Sequence, residues 1–244
     1  MRLRLTVAYD GTRFSGWQSQ PDGNTIQDYL EKAFAALCSG RVPVHGSGRT
    51  DAGVHASGQC AHADVTDGRF DPPAWMHALN AHLPAEIRVM QARQARENFH
   101  ARFQARGKVY RYTIWNGPVI PPLENHRAWH VHQQLDFEIL KSVCSLFIGT
   151  HDFAAFSAKR SKEPESTERT IRALRVVRSG QKMTLTFEGD GFLYKMVRML
   201  AGAAVRCAMG RISAEELAER LQVGFPRMSH VAPACGLCLL RVVY

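Results

Sequence analysis

The sequence holds no apolar run approaching the roughly 18 residues a helix needs to span a bilayer, so no membrane partner is expected. Its opening, Met1-Arg2-Leu3-Arg4-Leu5-Thr6-Val7, alternates like a strand and lacks the apolar centre of a secretory signal. Cysteines number six, and only Cys235 and Cys238 form a CxxC pair. One such pair without a second nearby reads more simply as two packed thiols than as a zinc or redox site, and a reducing cytoplasm suits it. There is no Walker A loop and no dinucleotide-binding glycine fingerprint. Acidic residues are in short supply: 22 Asp and Glu stand against 31 Lys and Arg, a formal charge of +9. A positive field of this kind attracts polyanions, which taken alone permits nucleic acid or an anionic membrane surface as a partner and leaves an ordinary basic enzyme equally open.

What is present is an ordinary complement of apolar residues, 45% of 244, enough for one large domain or two small ones. Strand-like alternation marks 2–10, 42–46, 58–65 and 86–95, with helices at 26–39 behind a Thr25 N-cap and from Pro72-Pro73 to Leu83. The second half reads as strands at 108–115 and 127–132 and a helix at 136–148. A hairpin 171–178/182–189 follows, then helices at 192–209 and 213–222 and a last strand at 237–243. The order in each half comes close to β-α-β-β-α-β. This predicts an α+β fold of two ferredoxin- or RNA-recognition-like halves, 1–105 and 106–244, sharing a largely antiparallel sheet with a central cleft. Residues 158–169, charged and Ser-rich, read as a substrate flap or a solvated connection.

The most informative segment is Gly46-Ser47-Gly48-Arg49-Thr50-Asp51-Ala52-Gly53-Val54-His55. Glycines at this density let the backbone turn tightly and approach other groups, and between them stand one carboxylate and one guanidinium. Asp51 held in such a turn and kept ionised by nearby arginines could serve as nucleophile or general base. It could also merely cap the turn or pair with Arg49.

Gly48-Arg49-Thr50-Asp51-Ala52-Gly53-Val54-His55 resembles the signature of the bacterial tRNA pseudouridine synthase A family. Further likenesses follow in order along the chain: Tyr9-Asp10-Gly11 with Phe14 to Gln20, Asn98 to Phe103, Lys108 to Tyr112, Met196-Val197-Arg198 with Gly202, and Ala232 to Leu237. Phe192-Leu193-Tyr194-Lys195 departs from the family's more usual His-bearing form. The resemblance implies isomerisation of uridine to pseudouridine in the anticodon stem-loop of tRNA, at positions 38, 39 and 40, by a homodimer with no cofactor and no metal. It implies that Asp51 is the catalytic nucleophile and that Tyr110, Arg49 and Arg198 bind substrate.

Several of these residues also carry a reading of their own. In a strand over 108–115, Lys108, Tyr110 and Tyr112 share a face, and a tyrosine there can stack on a base or pack in a core. Arg198 lies among Met196, Val197, Met199 and Leu200, where a guanidinium needs a partner or a path to water. The resemblance places that partner at Asp51, while Glu188 or Asp190 are alternatives. Seven basic residues and one acid, Glu97, fall between Arg88 and Arg111, and Lys159, Arg160, Lys162, Arg169 and Arg172 form a second cluster. Both suit an RNA backbone, and both could be solvated faces. A rival without chemistry is an RNA-binding protein with two RNA-recognition-like halves. A metal-dependent nuclease or deaminase would need ligand clusters that Cys60-Ala61-His62 with Cys235 and Cys238 supplies poorly.

Overall fold

The computed structural model describes residues 1–66, 68–159 and 165–244. Contacts divide the chain into a first unit, Met1–Arg106 with Cys238–Tyr244, and a second, Gly107–Leu237.

The first unit follows the expected order. Strand β1 (Arg2–Tyr9) buries Leu3, Leu5, Val7 and Tyr9 and turns its alternate residues the other way. Thr25 caps α1 (Ile26–Leu37), its hydroxyl accepting the N–H of Asp28 at 3.2 Å, and Ile26, Leu30, Ala33 and Phe34 form the buried stripe. Strands β2 (His45–Gly46) and β3 (His55–Asp64) follow. Asp71 then caps α2 (Pro72–His82), which opens on two prolines, and β4 (Ile87–Ala95) closes the set. β1 pairs antiparallel with both β3 and β4, and β2 pairs antiparallel with β3. This is the split β-α-β arrangement that the element order implies. The last strand of the chain, β10 (Leu237–Val243), lies parallel to β3, matching Cys238 to His55 and Leu239 to Ala56.

In the second unit, β5 (Gly107–Trp115), β9 (Lys182–Gly189), β8 (Glu168–Ser179) and β7 (Gly149–Asp152) form an antiparallel sheet in that order, and β6 (Trp129–His130) adds to β5 in parallel. Its helices are α3 (Phe137–Leu146), α4 (Met196–Ala208) and α5 (Ala214–Val223). Tyr112, Met183, Leu185, Phe187, Leu140 and Leu200 are fully buried and mark the core. The α+β class is borne out: strands, mostly antiparallel, and helices alternate in both units.

One expected boundary needs correction, and one strand was not expected. The helix expected from Phe192 begins at Met196. Lys195 takes φ 60°, the left-handed region that an α-helix of L-residues excludes, so Phe192–Lys195 form an approach to the helix rather than its first turn. β7 went unrecognised because Gly-Thr-His-Asp has no apolar alternation; it is short and polar. Of the 158–169 loop, residues 160–164 lie outside the described residues, among them Arg160 and Lys162, and Glu168 and Arg169 already belong to β8.

Candidate active site

Asp51 opens a four-residue turn. The Val54 N–H donates to the Asp51 carbonyl at 3.1 Å, and Gly53, at φ 77°, occupies the position where a type II turn requires positive φ. The turn rests on the opening segment of the same unit. Gly16, at φ 95°, lies so close beneath that a Cβ there would stand 2.6 Å from the Thr50 carbonyl oxygen and 3.1 Å from the Ala52 nitrogen. A Cβ on Gly11 would meet the Val54 carbonyl oxygen at 2.0 Å. Backbone hydrogen bonds join the layers: Trp17 N–H to the Thr50 carbonyl at 3.1 Å and Gly53 N–H to the Phe14 carbonyl at 3.4 Å.

Side chains fix the flanks. The buried Tyr9 and Thr50 hydroxyls bond at 2.9 Å, and burial pushes the Tyr9 phenol well up. His55 is buried and its Nδ1 accepts the Gly11 N–H at 3.0 Å. That nitrogen also lies 3.3 Å from Asp10 Oδ1, but with its lone pair turned to an N–H it cannot donate there, so we read this approach as a contact and not an ion pair. On the other flank, Ser47 Oγ donates to Gln59 Oε1 at 2.7 Å and Gln59 Nε2 to the Gly48 carbonyl at 3.0 Å. Arg49 is exposed, and its Nε donates to Gln18 Oε1 at 3.2 Å. Asp51 itself is half-buried. From the sequence, Tyr9-Asp10-Gly11 with Phe14 to Gln20 stands only as a family likeness. The structure shows it to be the floor of the Asp51 turn, with Gly11 and Gly16 needed because backbone packs directly on backbone.

Arg49 and Asp51 belong to the first unit, Tyr110 and Arg198 to the second. Tyr110 is buried on β5, paired with Phe187 of β9, and meets the Phe192 ring edge-on at 5.3 Å. Two residues on, Tyr112 donates its hydroxyl to the Pro233 carbonyl at 2.8 Å. Burial raises its phenol, which the charge of Arg198 partly opposes. Arg198 is half-buried in the first turn of α4, where its Nε donates to the Ala232 carbonyl at 2.8 Å and its own carbonyl accepts the Ala232 N–H at 3.2 Å. The guanidinium thereby ties α4 to the 230–236 segment. That segment packs closely at both ends: a Cβ on Gly202 would lie 2.9 Å from His230 Cδ2, and one on Gly236 would lie 2.7 Å from the Tyr112 ring. Tyr194 accepts the Ala158 N–H on its carbonyl at 3.1 Å, and Lys195 Nζ lies 5.0 Å from the Tyr194 ring centre.

Among the described residues, no group of three or more His, Cys, Asp or Glu is arranged to hold a metal ion, and Cys235 and Cys238 are not joined in a disulfide. No helix there is long and apolar enough to cross a membrane.

The profile of the tRNA pseudouridine synthase family matches residues 5–104 and 143–244. The chain belongs to that family. Among its relatives, tRNA pseudouridine synthase A of Akkermansia muciniphila is 47% identical, covering 100% of this chain and 95% of its own. The protein of that name from Solidesulfovibrio magneticus is 45% identical over 100% of this chain and 91% of its own. That of Geobacter sp. strain M21 is 40% identical over 99% and 98%. The family resemblance read from the Asp51 segment and its companions is thus borne out along the full chain.

Proposed function

We propose that this synthase isomerises uridine to pseudouridine in tRNA, with Asp51 as the nucleophile and the anticodon stem-loop, positions 38, 39 and 40, as the target. The reaction exchanges one bond for another. The bond from C1′ to N1 breaks, a bond from C1′ to C5 forms, C5 gives up its proton and N1 gains one. Nothing is oxidised or reduced, so the chemistry calls for a positioned charge more than for a cofactor. The observation that carries the reading is the Asp51 turn: a half-buried carboxylate on a backbone held in place by Gly11, Gly16 and His55. A nucleophile works only from a fixed position, and a merely structural cap would not need a floor this close.

The target base lies in a stack and has to be extruded at a cost of a few kcal/mol, which contacts to the phosphates must offset. In our reading Arg49, exposed beside the turn and oriented by Gln18, takes that part. Tyr110 stacks on the uridine and Arg198 holds its charged surroundings. Action as a homodimer in the cytoplasm belongs to the same proposal.

The test is incubation of the purified protein with unmodified tRNA, with and without EDTA, followed by mapping of pseudouridine along the strand. Pseudouridine at 38–40 in both samples is the expected result; none, or activity lost to EDTA and restored by metal, overturns it. Arg198→Leu is expected to lower the rate by about a hundredfold, the scale of a lost charged contact in an active site. A near-normal rate would remove Arg198 from the substrate-binding set.

A further inference from the structure

A second cluster in the first unit lies apart from the Asp51 turn. It sits at the far end of β3 from His55, roughly 20 Å along the strand at the usual rise per residue. Residues 98–104 form a turn there that is fixed by its own hydrogen bonds. His100 Nδ1 faces the backbone N–H groups of Arg102 and Phe103 at 3.1 and 3.3 Å. Gln104 bonds through its N–H to the His100 carbonyl at 3.2 Å and through its amide to the Asn98 carbonyl at 3.0 Å. Below the turn, Ala101 N–H donates to His62 Nδ1 at 3.2 Å, and Tyr244 donates to the Ala101 carbonyl at 2.6 Å.

None of these bonds involves the Phe103 side chain, which is 75% exposed. It lies against the His100 ring at 4.2 Å between centres and 31° between planes. His100 meets His62 at 4.6 Å, and His62 stacks on His45 at 4.9 Å and 24°. Burial, reinforced by neighbouring positive charge, holds His62 down at about 4 and lowers His100 as well, so the two rings beneath Phe103 stay uncharged at neutral pH. The Arg102 guanidinium lies 5.7 Å from the Phe103 ring centre. The sequence around it is basic, with Arg96 and Arg106 on either side and Glu97 the one acid from 88 to 111. A large aromatic ring held out on a hydrogen-bonded turn, backed by uncharged rings and beside the Arg102 guanidinium, has the makings of a base-stacking platform.

We propose that Phe103 stacks an unpaired nucleobase of the RNA substrate while Arg102 holds an adjoining phosphate, a recognition contact separate from the Asp51 turn. The positive surroundings favour RNA over a protein partner at this ring. The assignment rests on the tRNA reading above, so the experiment scores the two separately. Wild type, Phe103→Ala, Phe103→Trp and Arg102→Gln are compared for tRNA affinity, for single-turnover pseudouridine formation at saturating tRNA, and for mass in solution. The expected result is a tRNA Kd raised roughly tenfold in Phe103→Ala and kept within about twofold in Phe103→Trp, with an unchanged saturated rate in both. Arg102→Gln is expected to weaken binding and to flatten its salt dependence. A wild type that makes no pseudouridine fails the function and leaves the tRNA-affinity comparison to judge the platform. An active wild type whose Phe103→Ala variant binds tRNA normally overturns the platform alone. A change of mass in Phe103→Ala would also overturn it, by assigning the ring to a contact between copies of this chain.

Discussion

At one end of β3 the buried His55 takes the Gly11 N–H on its Nδ1; at the other, the buried His62 takes the Ala101 N–H on the same atom. Both histidines hold a neighbouring segment by its backbone N–H, but what they hold differs. Beside His55, backbone packs on backbone so closely that Gly11 and Gly16 have no room for a Cβ. Beside His62, ring packs on ring, and each ring can slide or tilt by fractions of an ångström at little cost. A carboxylate that must meet one atom needs the first kind of support. A surface that receives a flat base tolerates the second.

The largest effect should come from the first end. Asp51→Asn is expected to lower single-turnover pseudouridine formation by on the order of a thousandfold or more, with tRNA affinity within about tenfold of wild type. Parallel loss of binding and rate would instead make the residue structural. Gly16→Ala comes next. The added methyl meets the Thr50 carbonyl at 2.6 Å in a backbone region that alanine disfavours, so about 1–3 kcal/mol of stability should go, together with much of the rate. A melting temperature and a rate both at wild-type level would show that the floor yields more easily than the geometry implies.

The smallest effect belongs to the second end and concerns pH. His62 is uncharged in the fold with its value lowered to about 4, while an unfolded histidine titrates near 6.5. As pH falls, the unfolded chain takes up this proton first. The stability the group contributes is therefore complete above about 6.5 and drains away towards about 4. The melting temperature of wild type should drop more steeply than that of His62→Gln between pH 7 and 4.5, by a few degrees. Parallel curves would show that the ring's burial is not what sets its titration.

Much of this was legible in the sequence because it is local. Thr25 before an apolar stripe, Pro72-Pro73 at a helix start, and the two strand-like runs of the 171–178/182–189 hairpin each announce themselves within a few residues. The Asp51 turn stood out through its glycines for the same reason. What stayed hidden depends on partners distant in the chain. Gly16 is a glycine because of Thr50, and Gly236 because of Tyr112; no window around either contains its reason. The apolar run from Phe192 suggested helix, and only the backbone at Lys195 shows where it starts. The stack from His45 through His62 and His100 to Phe103 joins three separate segments and leaves no periodic trace.

The pairing of β10 with β3 sets an order on assembly. The unit that holds Asp51 includes the last seven residues of the chain, so a ribosome must finish the whole of the second unit before the strand that completes the first emerges. Until then His55 and Ala56 lack their parallel neighbour, and the nascent synthase carries its carboxylate in a turn that leads into an unfinished sheet edge.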